Sequence, residues 1–312
     1  MRPVFAGVAT AAALTCAVAV AACGFGAGPA SSGTATLTVT RDYGSQVLGQ
    51  ASVDDPSASE TVIRLLDSHA DITTRYGGGF VQSIDGLSGT GDSDWFFYVN
   101  GIESPVGSAD VQVKGGDVIW WDYRNWSAAM SVPAVVGSWP EPFAQSASSN
   151  PRPVRVVCLG VKPACRTTSD RLAAAGVNAP MSSDTQGGQA GAMRLLVGPW
   201  SAVRNDPAVR ELRGSPASTG VFATFKGPIG GGWHLIGVDS NGDPARDLGS
   251  SSGLVAALRQ GDDQPTWIVT GSGSSAVRRA ANAIDVGVLR NRYAIAATGH
   301  GTVPLPIARG AQ

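Results

Sequence analysis

"DWFFYVNGIESPVGSADVQVKGGDVIWWDY", residues 94–123, sets Trp95, Phe96, Phe97, Tyr98, Trp120, Trp121 and Tyr123 in two short runs separated by turn residues. Asn100-Gly101 closes the first run as a hairpin signal, and Gly115-Gly116 precedes the second. Side chains of a strand alternate, so Trp95, Phe97 and Val99 share one face while Phe96, Tyr98 and Asn100 share the other. By the same rule Ile119, Trp121 and Tyr123 oppose Val118, Trp120 and Asp122. One set must be core. The other either packs against a further part of the chain or meets a ligand, because a face this aromatic is not left to solvent without a partner.

On the N-terminal side, "TATLTVTRDYG" (34–44) alternates as a strand, and "SQVLGQASV" (45–53) continues as a weaker second one. "DPSASETVIRLLDSHADITTRYGGG" (55–79) then predicts an amphipathic helix capped by Ser57 or Ser59, with Glu60 in its first turn and Val62, Leu65, Leu66 and His69 on one face. "FVQSIDGL" (80–87) reads as a strand ending in an Asp-Gly turn. Several strands with one helix suggest a small sheet crossed by that helix, an α+β unit.

These segments resemble the transcobalamin-like C-terminal domain, a β-grasp module of cobalamin carriers and of many exported bacterial proteins. The resemblance covers about residues 34–125 and rests on W-x-x-Y-V-N-G from Trp95 and G-D-V-I-x-W from Gly116. In the carriers this module closes over a corrinoid held mainly by an α-helical barrel, and no such barrel is visible in this chain. The family pattern places aromatics at the slots of Trp95, Trp121 and Tyr123 but a polar residue at that of Trp120. The resemblance therefore implies a corrinoid-like ligand stacked on Phe96, Tyr98 and Trp120, with Asn100 hydrogen bonding at the turn, and delivery to an uptake transporter. The alternative for the same face is structural burial against the connector or the C-terminal half.

Beyond residue 125 the pattern changes. "WSAAMSVPAVVGSWPEPFAQSASSN" (126–150) has three prolines and no period, yet Trp126, Trp139 and Phe143 are too apolar for a free linker, so it should wrap across a surface. "RPVRVVCLGV" (152–161), "AMRLLVGPW" (192–200), "TGVFATFKG" (219–227), "GGWHLIGVDSNGD" (231–243), "PTWIVTGS" (265–272) and "NRYAIAATG" (291–299) read as strands. "TSDRLAAAGV" (168–177, capped by Ser169 or Asp170), "DPAVRELRG" (206–214), "SSGLVAALRQG" (251–261) and "SSAVRRAANAID" (274–285) read as helices. The expected fold class is thus α+β, a β-grasp-like domain at 34–125, a connector at 126–151, an α/β domain with a mixed, partly parallel sheet at 152–303, and a tail at 304–312.

The first 22 residues carry one Arg and an apolar stretch from Val4 to Ala22, with no further charge until Arg41, which is the layout of an export signal. Val20-Ala21-Ala22-Cys23 resembles a bacterial lipobox, which implies lipidation of Cys23 and a flexible tether over 23–33. Cys16 matches the box less well, and an uncleaved anchor or plain secretion are the alternatives. Cys158 and Cys165, the two cysteines of the mature part, flank a turn containing Gly160 and Pro163 and should form a disulfide in an oxidising compartment. With His69, His234 and His300 far apart in sequence, a metal site is not expected.

At 312 residues with 15 % charged residues and a net charge of −1, the chain has no field that would favour nucleic acid. "TGSGSSA" (270–276) matches G-x-G-x-x-A formally, but "RNRY" (290–293) heads the next strand where an acidic residue would be needed, so turn glycines are the better reading. Asp239, Asn241 and Asp243 have calcium-loop spacing, but Pro244 stands where Gly is required, which favours a hairpin turn. No nucleophile elbow or paired carboxylates stand out. The expectation is a non-enzymatic, lipid-anchored protein on the outer face of the cytoplasmic membrane, with no covalent cofactor, that binds a small molecule. An envelope module binding protein or glycan is the alternative.

Overall fold

The chain is described by a computed structural model over residues 31–183, 191–213, 217, 219–229 and 232–308. The export segment, Cys23 and the tether as far as residue 30 lie outside the described residues. In the N-terminal half, β1 (Thr34–Arg41) and β2 (Gln46–Asp54) form an antiparallel hairpin, followed by α1 (Val62–Asp67). Next come β3 (Ile72–Arg75), β4 (Phe80–Ile84) and β5 (Leu87–Ser88), which make a small antiparallel sheet. β6 (Ser93–Val99), β7 (Ile102–Glu103) and β8 (Val118–Asn125) complete a five-stranded sheet of order β2-β1-β8-β6-β7, with β1 and β8 parallel.

The alternation in β1, β6 and β8 sorts the core as the sequence suggests. Leu37, Val39, Trp95, Ile119 and Trp121 join Val62, Leu65 and Leu66 of α1 in one buried cluster, with Phe97 and Tyr123 packed at its edge. The helix is shorter than its polar flank implies. It starts after Thr61, and no side chain caps it, because the amides of Val62 and Ile63 donate to the carbonyls of Val111 and Ser108. The neighbouring segment thus satisfies the orphan donors that Ser57 or Ser59 would have served.

In the C-terminal half, β9 (Val154–Cys158), α2 (Lys162–Ala174), β10 (Met181–Ser182), β11 (Met193–Pro199) and α3 (Trp200–Val203) come first. A three-stranded meander follows, β12 (Ala223–Ile229), β13 (Gly232–Val238) and β14 (Pro244–Gly249). The remainder is β15 (Gly253–Leu258), β16 (Thr266–Gly271), α4 (Ser274–Asn282), α5 (Val286–Leu289), β17 (Ala294–Thr298) and β18 (Gly301–Leu305). The main sheet has the order β10-β9-β11-β16-β15-β17-β18, parallel from β10 to β16 and antiparallel beyond. The expected mixed, partly parallel sheet is present, and the chain is α+β as read.

Three local readings change. "GLVAAL", expected as helix, is the fully buried strand β15: Val255 and Ala257 face the layer containing α2 and α4, while Leu254, Ala256 and Leu258 face the opposite one. Burial on both faces overrides the helical preference of Ala and Leu. α2 begins at Lys162 with Pro163 in its first turn, earlier than Ser169 or Asp170. Of the segment expected as a helix from 206, the described residues 206–213 form only short 3₁₀ turns at Pro207–Val209 and Glu211–Arg213. The disulfide Cys158–Cys165 ties the end of β9 to that first turn of α2. Asp239 Oδ1 accepts the amides of Asn241 and Asp243 and so organises the hairpin turn between β13 and β14.

Candidate functional site

The connector holds the two halves together by backbone pairing on both sides. Val135 N donates to Gly101 O (2.9 Å) in the N-terminal half, Val136 N donates to Tyr293 O (3.3 Å), and Asn291 N donates to Gly137 O (3.2 Å). Trp139 and Phe143 pack on Trp267 of β16, as their apolar character requires. Residues 290–293, "RNRY", are thereby held against the outer face of the five-stranded sheet.

Phe96, Tyr98 and Trp120 do lie on the face away from α1, but they do not offer a stacking surface. Tyr98 and Trp120 are 0 % and 1 % exposed, and the ring of Tyr293 stands edge-on to both, at 5.8 and 5.3 Å. Tyr43 closes the third side at 5.0 Å from Tyr293, and itself meets Phe222 at 5.1 Å. Phe96 is covered by the guanidinium of Arg124, 3.7 Å above its ring. The expected ligand face is therefore filled by the protein's own side chains. Asn100 is also committed: its Nδ2 donates to Asp117 Oδ1 and its Oδ1 accepts Val118 N, both at 2.8 Å, which fixes the β6 turn against β8. Its residue-100 φ of 55° suits Asn before Gly101.

A chain of hydrogen bonds runs through this interface. Trp120 Nε1 donates to Thr40 Oγ1 (2.7 Å), Thr40 Oγ1 donates to Asp122 Oδ1 (2.5 Å), and Gly44 N donates to the same oxygen (3.0 Å). Tyr293 donates its hydroxyl to Asp122 Oδ2 (2.9 Å), and Tyr98 donates to Tyr293 (3.3 Å). Burial pushes the Asp122 carboxyl up from 3.8 to about 6, against the lowering effect of Thr40, Gly44, Tyr293 and Arg124. Burial likewise pushes Tyr43 up to about 12 and raises Tyr98 and Tyr293 further. Arg124 is buried but well supplied: it donates to Ala129 O (2.5 Å) and Met130 O (3.1 Å) of the connector and lies 3.7 Å from Glu103.

Beside this seal an open cleft of about 660 Å³ runs between the halves. Asp42, Tyr43, Tyr123 and Asn125 line one side, and Arg246, Arg292 and the strip from Thr302 to Ala308 line the other. Burial of Arg292 holds its guanidinium below the ordinary value. A second cleft, of about 510 Å³, opens on the opposite side of the seal, where Thr38, Gln50, Ser138, Arg290 and Asn291 give it a polar lining. Residues 290–293 thus border both clefts. In the sequence, "RNRY" reads as the head of a strand and argues against a dinucleotide site. Its one pointer to a wider role is an Asn flanked by two Arg before a Tyr, and the Asn takes a φ of 56°.

The other candidate groups stay apart. His234 pairs with Asp247 across β13 and β14 at 3.0 Å, His69 hydrogen bonds to Leu65 O or Ser68 at the end of α1, and His300 lies in the exposed β17–β18 turn. Gly271 and Gly273 join β16 to α4, and a Cβ on Gly271 would sit 2.6 Å from Ala276 Cβ, so close strand–helix packing accounts for Gly271. Among the described residues no group of three or more His, Cys, Asp and Glu is gathered as a metal site would need.

The family model described as "Domain of unknown function (DUF4430)" matches residues 59–125, from just before α1 to the end of β8. No curated protein matches the chain. A solved structure from Ruminococcus gnavus ATCC 29149, described as that of a "putative metal binding protein", is 15 % identical, covers 30 % of this chain and 97 % of its own, and has a TM-score of 0.24. A TM-score that low supports no transfer of function.

Two outcomes test this interface. A carboxyl with a raised folded value is protonated in the folded state before it is in the unfolded one, so its burial penalty is absent below about pH 4 and complete above about pH 6. Relative to Asp122→Asn, the wild type should therefore gain stability on acidification from pH 7 to 4, on the order of 3 kcal/mol at most, read as the difference between their denaturant midpoints at each pH. Gly44 has φ +74°, and a Cβ there would lie 2.0 Å from Asn291 O, whereas Gly86 has φ +78° with nothing within 4 Å. Gly44→Ala should lower Tm clearly more than Gly86→Ala, which isolates the contact from the backbone strain that both share.

Proposed function

We propose that the chain is an exported, lipid-anchored binding protein of the outer face of the cytoplasmic membrane, non-enzymatic, whose small-molecule ligand occupies the cleft beside Tyr43 and Arg292. The observation that carries this reading is the cleft itself, an open concavity between two halves that the connector and Tyr293 hold at fixed spacing. The export segment and the lipobox-like Val20-Ala21-Ala22-Cys23 support the location. The DUF4430 match and the transcobalamin-like motifs of residues 94–123 support a binding role for the N-terminal module.

A corrinoid is the ligand that the resemblance implies. To stack on Tyr98 or Trp120 it would have to displace Tyr293 and break the bond to Asp122. We therefore propose a smaller ligand, delivered to an uptake transporter or sensed at the membrane. The envelope-interaction alternative keeps one observation in its favour: Tyr76 is 86 % exposed and edge-on to Phe80, beside the β3–β4 turn.

The test is mass spectrometry of the small molecules released on denaturing the full chain purified from membranes. A defined non-corrinoid compound should elute from the wild type and be lost in Ser45→Trp, which fills the mouth of the cleft. Cys23→Ala should move the protein out of the membrane fraction while leaving that compound bound. An empty wild-type protein, or a released corrinoid, would overturn the reading.

A further inference from the structure

Several of the arginines near the interface have partners within the protein. Arg124 has two carbonyls, an aromatic ring and Glu103 around it, and Arg194 forms a 3.0 Å ion pair with Asp206. Arg204 lies over the ring of Trp233 at 4.6 Å. The side chain of Arg292, half-buried in the wall of the cleft, has no hydrogen bond, ion pair or ring contact among the described residues. Half-burial strips part of the hydration from this guanidinium while its nitrogens stay open to the cleft, so a counter-charge entering the cleft can pair with it.

The remaining charges of the cleft do not supply that counter-charge. Asp42 is exposed and pairs with Arg41 at 3.6 Å, and Arg246 adds a second cation with a partner of its own. The Tyr43 hydroxyl donates to Asn125 O at 2.6 Å. Along the same wall as Arg292, Val303, Pro304 and Pro306 present apolar surface to the cleft, backed by the buried Leu305 and Ile307. A cation with hydrocarbon beside it in one cleft suits a ligand with one charged and one apolar end.

We propose that the cleft binds an organic anion, with its carboxylate or phosphate group on the Arg292 guanidinium and its apolar body along Val303–Ile307. The planar fork of an arginine suits either group, each of which can take two parallel hydrogen bonds. This assignment rests on the cleft being the ligand site.

The experiment is calorimetric titration of the full chain in lipid nanodiscs with three probes of equal length: hexanoate, hexyl phosphate and hexanol. At least one anion should bind saturably and about tenfold or more tighter than hexanol. Arg292→Gln should abolish that preference while leaving hexanol binding unchanged, and Arg290→Gln, on the far side of the seal, should keep it. Because Arg292 has no partner among the described residues to lose, the Arg292→Gln protein should melt no lower than the wild type, which separates lost recognition from lost folding. Equal affinity for hexanol and both anions, a preference that survives Arg292→Gln, or no binding of any probe would overturn the proposal. A neutral compound released from the wild type would overturn it as well, while leaving the cleft as the binding site.

Discussion

The ring of Tyr293, seated among Tyr43, Tyr98 and Trp120 with its hydroxyl on the carboxylate of Asp122, is the contact on which the relation between the two halves depends. It joins a residue just before β17 to the outer face of a sheet finished nearly 170 residues earlier in the chain, and it buries Tyr98 and Trp120 of that face almost completely. Without it, Tyr98, Trp120 and a buried carboxyl would face water on one side of a two-layered module. The hydrogen-bonded chain from Trp120 through Thr40 and Asp122 gives the contact a fixed geometry that hydrophobic burial alone would not impose. Gly44 and Gly137 permit it: a Cβ on either would run into Trp120 as well as into the backbone of Asn291 or Arg292.

The same insertion shapes both clefts. Held at Tyr293, the preceding residues cannot move far, so Arg292 remains in the wall of one cleft and Arg290 and Asn291 in that of the other. The N-terminal sheet thus turns its aromatic face inward against Tyr293, and the open clefts lie beside that contact.

Much of this fold is legible in the sequence wherever alternation decides it. Trp95 and Trp121 are core because strand periodicity puts them with Leu37 and Val39 under α1, and the hairpin and disulfide readings rest on equally local chemistry. Alternation also singled out Phe96, Tyr98 and Trp120 as the opposite face. It cannot say what covers that face, because the answer, Tyr293, is remote in sequence and is preceded by polar residues that read as the start of a strand. β15 illustrates the same limit, since "GLVAAL" carries helix-forming residues and becomes a strand only because both of its faces are covered by layers built from other segments. Arg292 drew no attention in the sequence for a related reason: that its side chain lacks a partner among the described residues is visible only from its three-dimensional neighbours.

The most direct test is differential scanning calorimetry of the full chain beside its Tyr293→Ala variant. If Tyr293 locks the halves into one cooperative body, the wild type melts in a single transition, and the variant melts in two, with the N-terminal module unfolding first. Two separate transitions in the wild type, or a single unshifted transition in the variant, would contradict the account, because the aromatic face of β6 and β8 would then owe nothing to the C-terminal half.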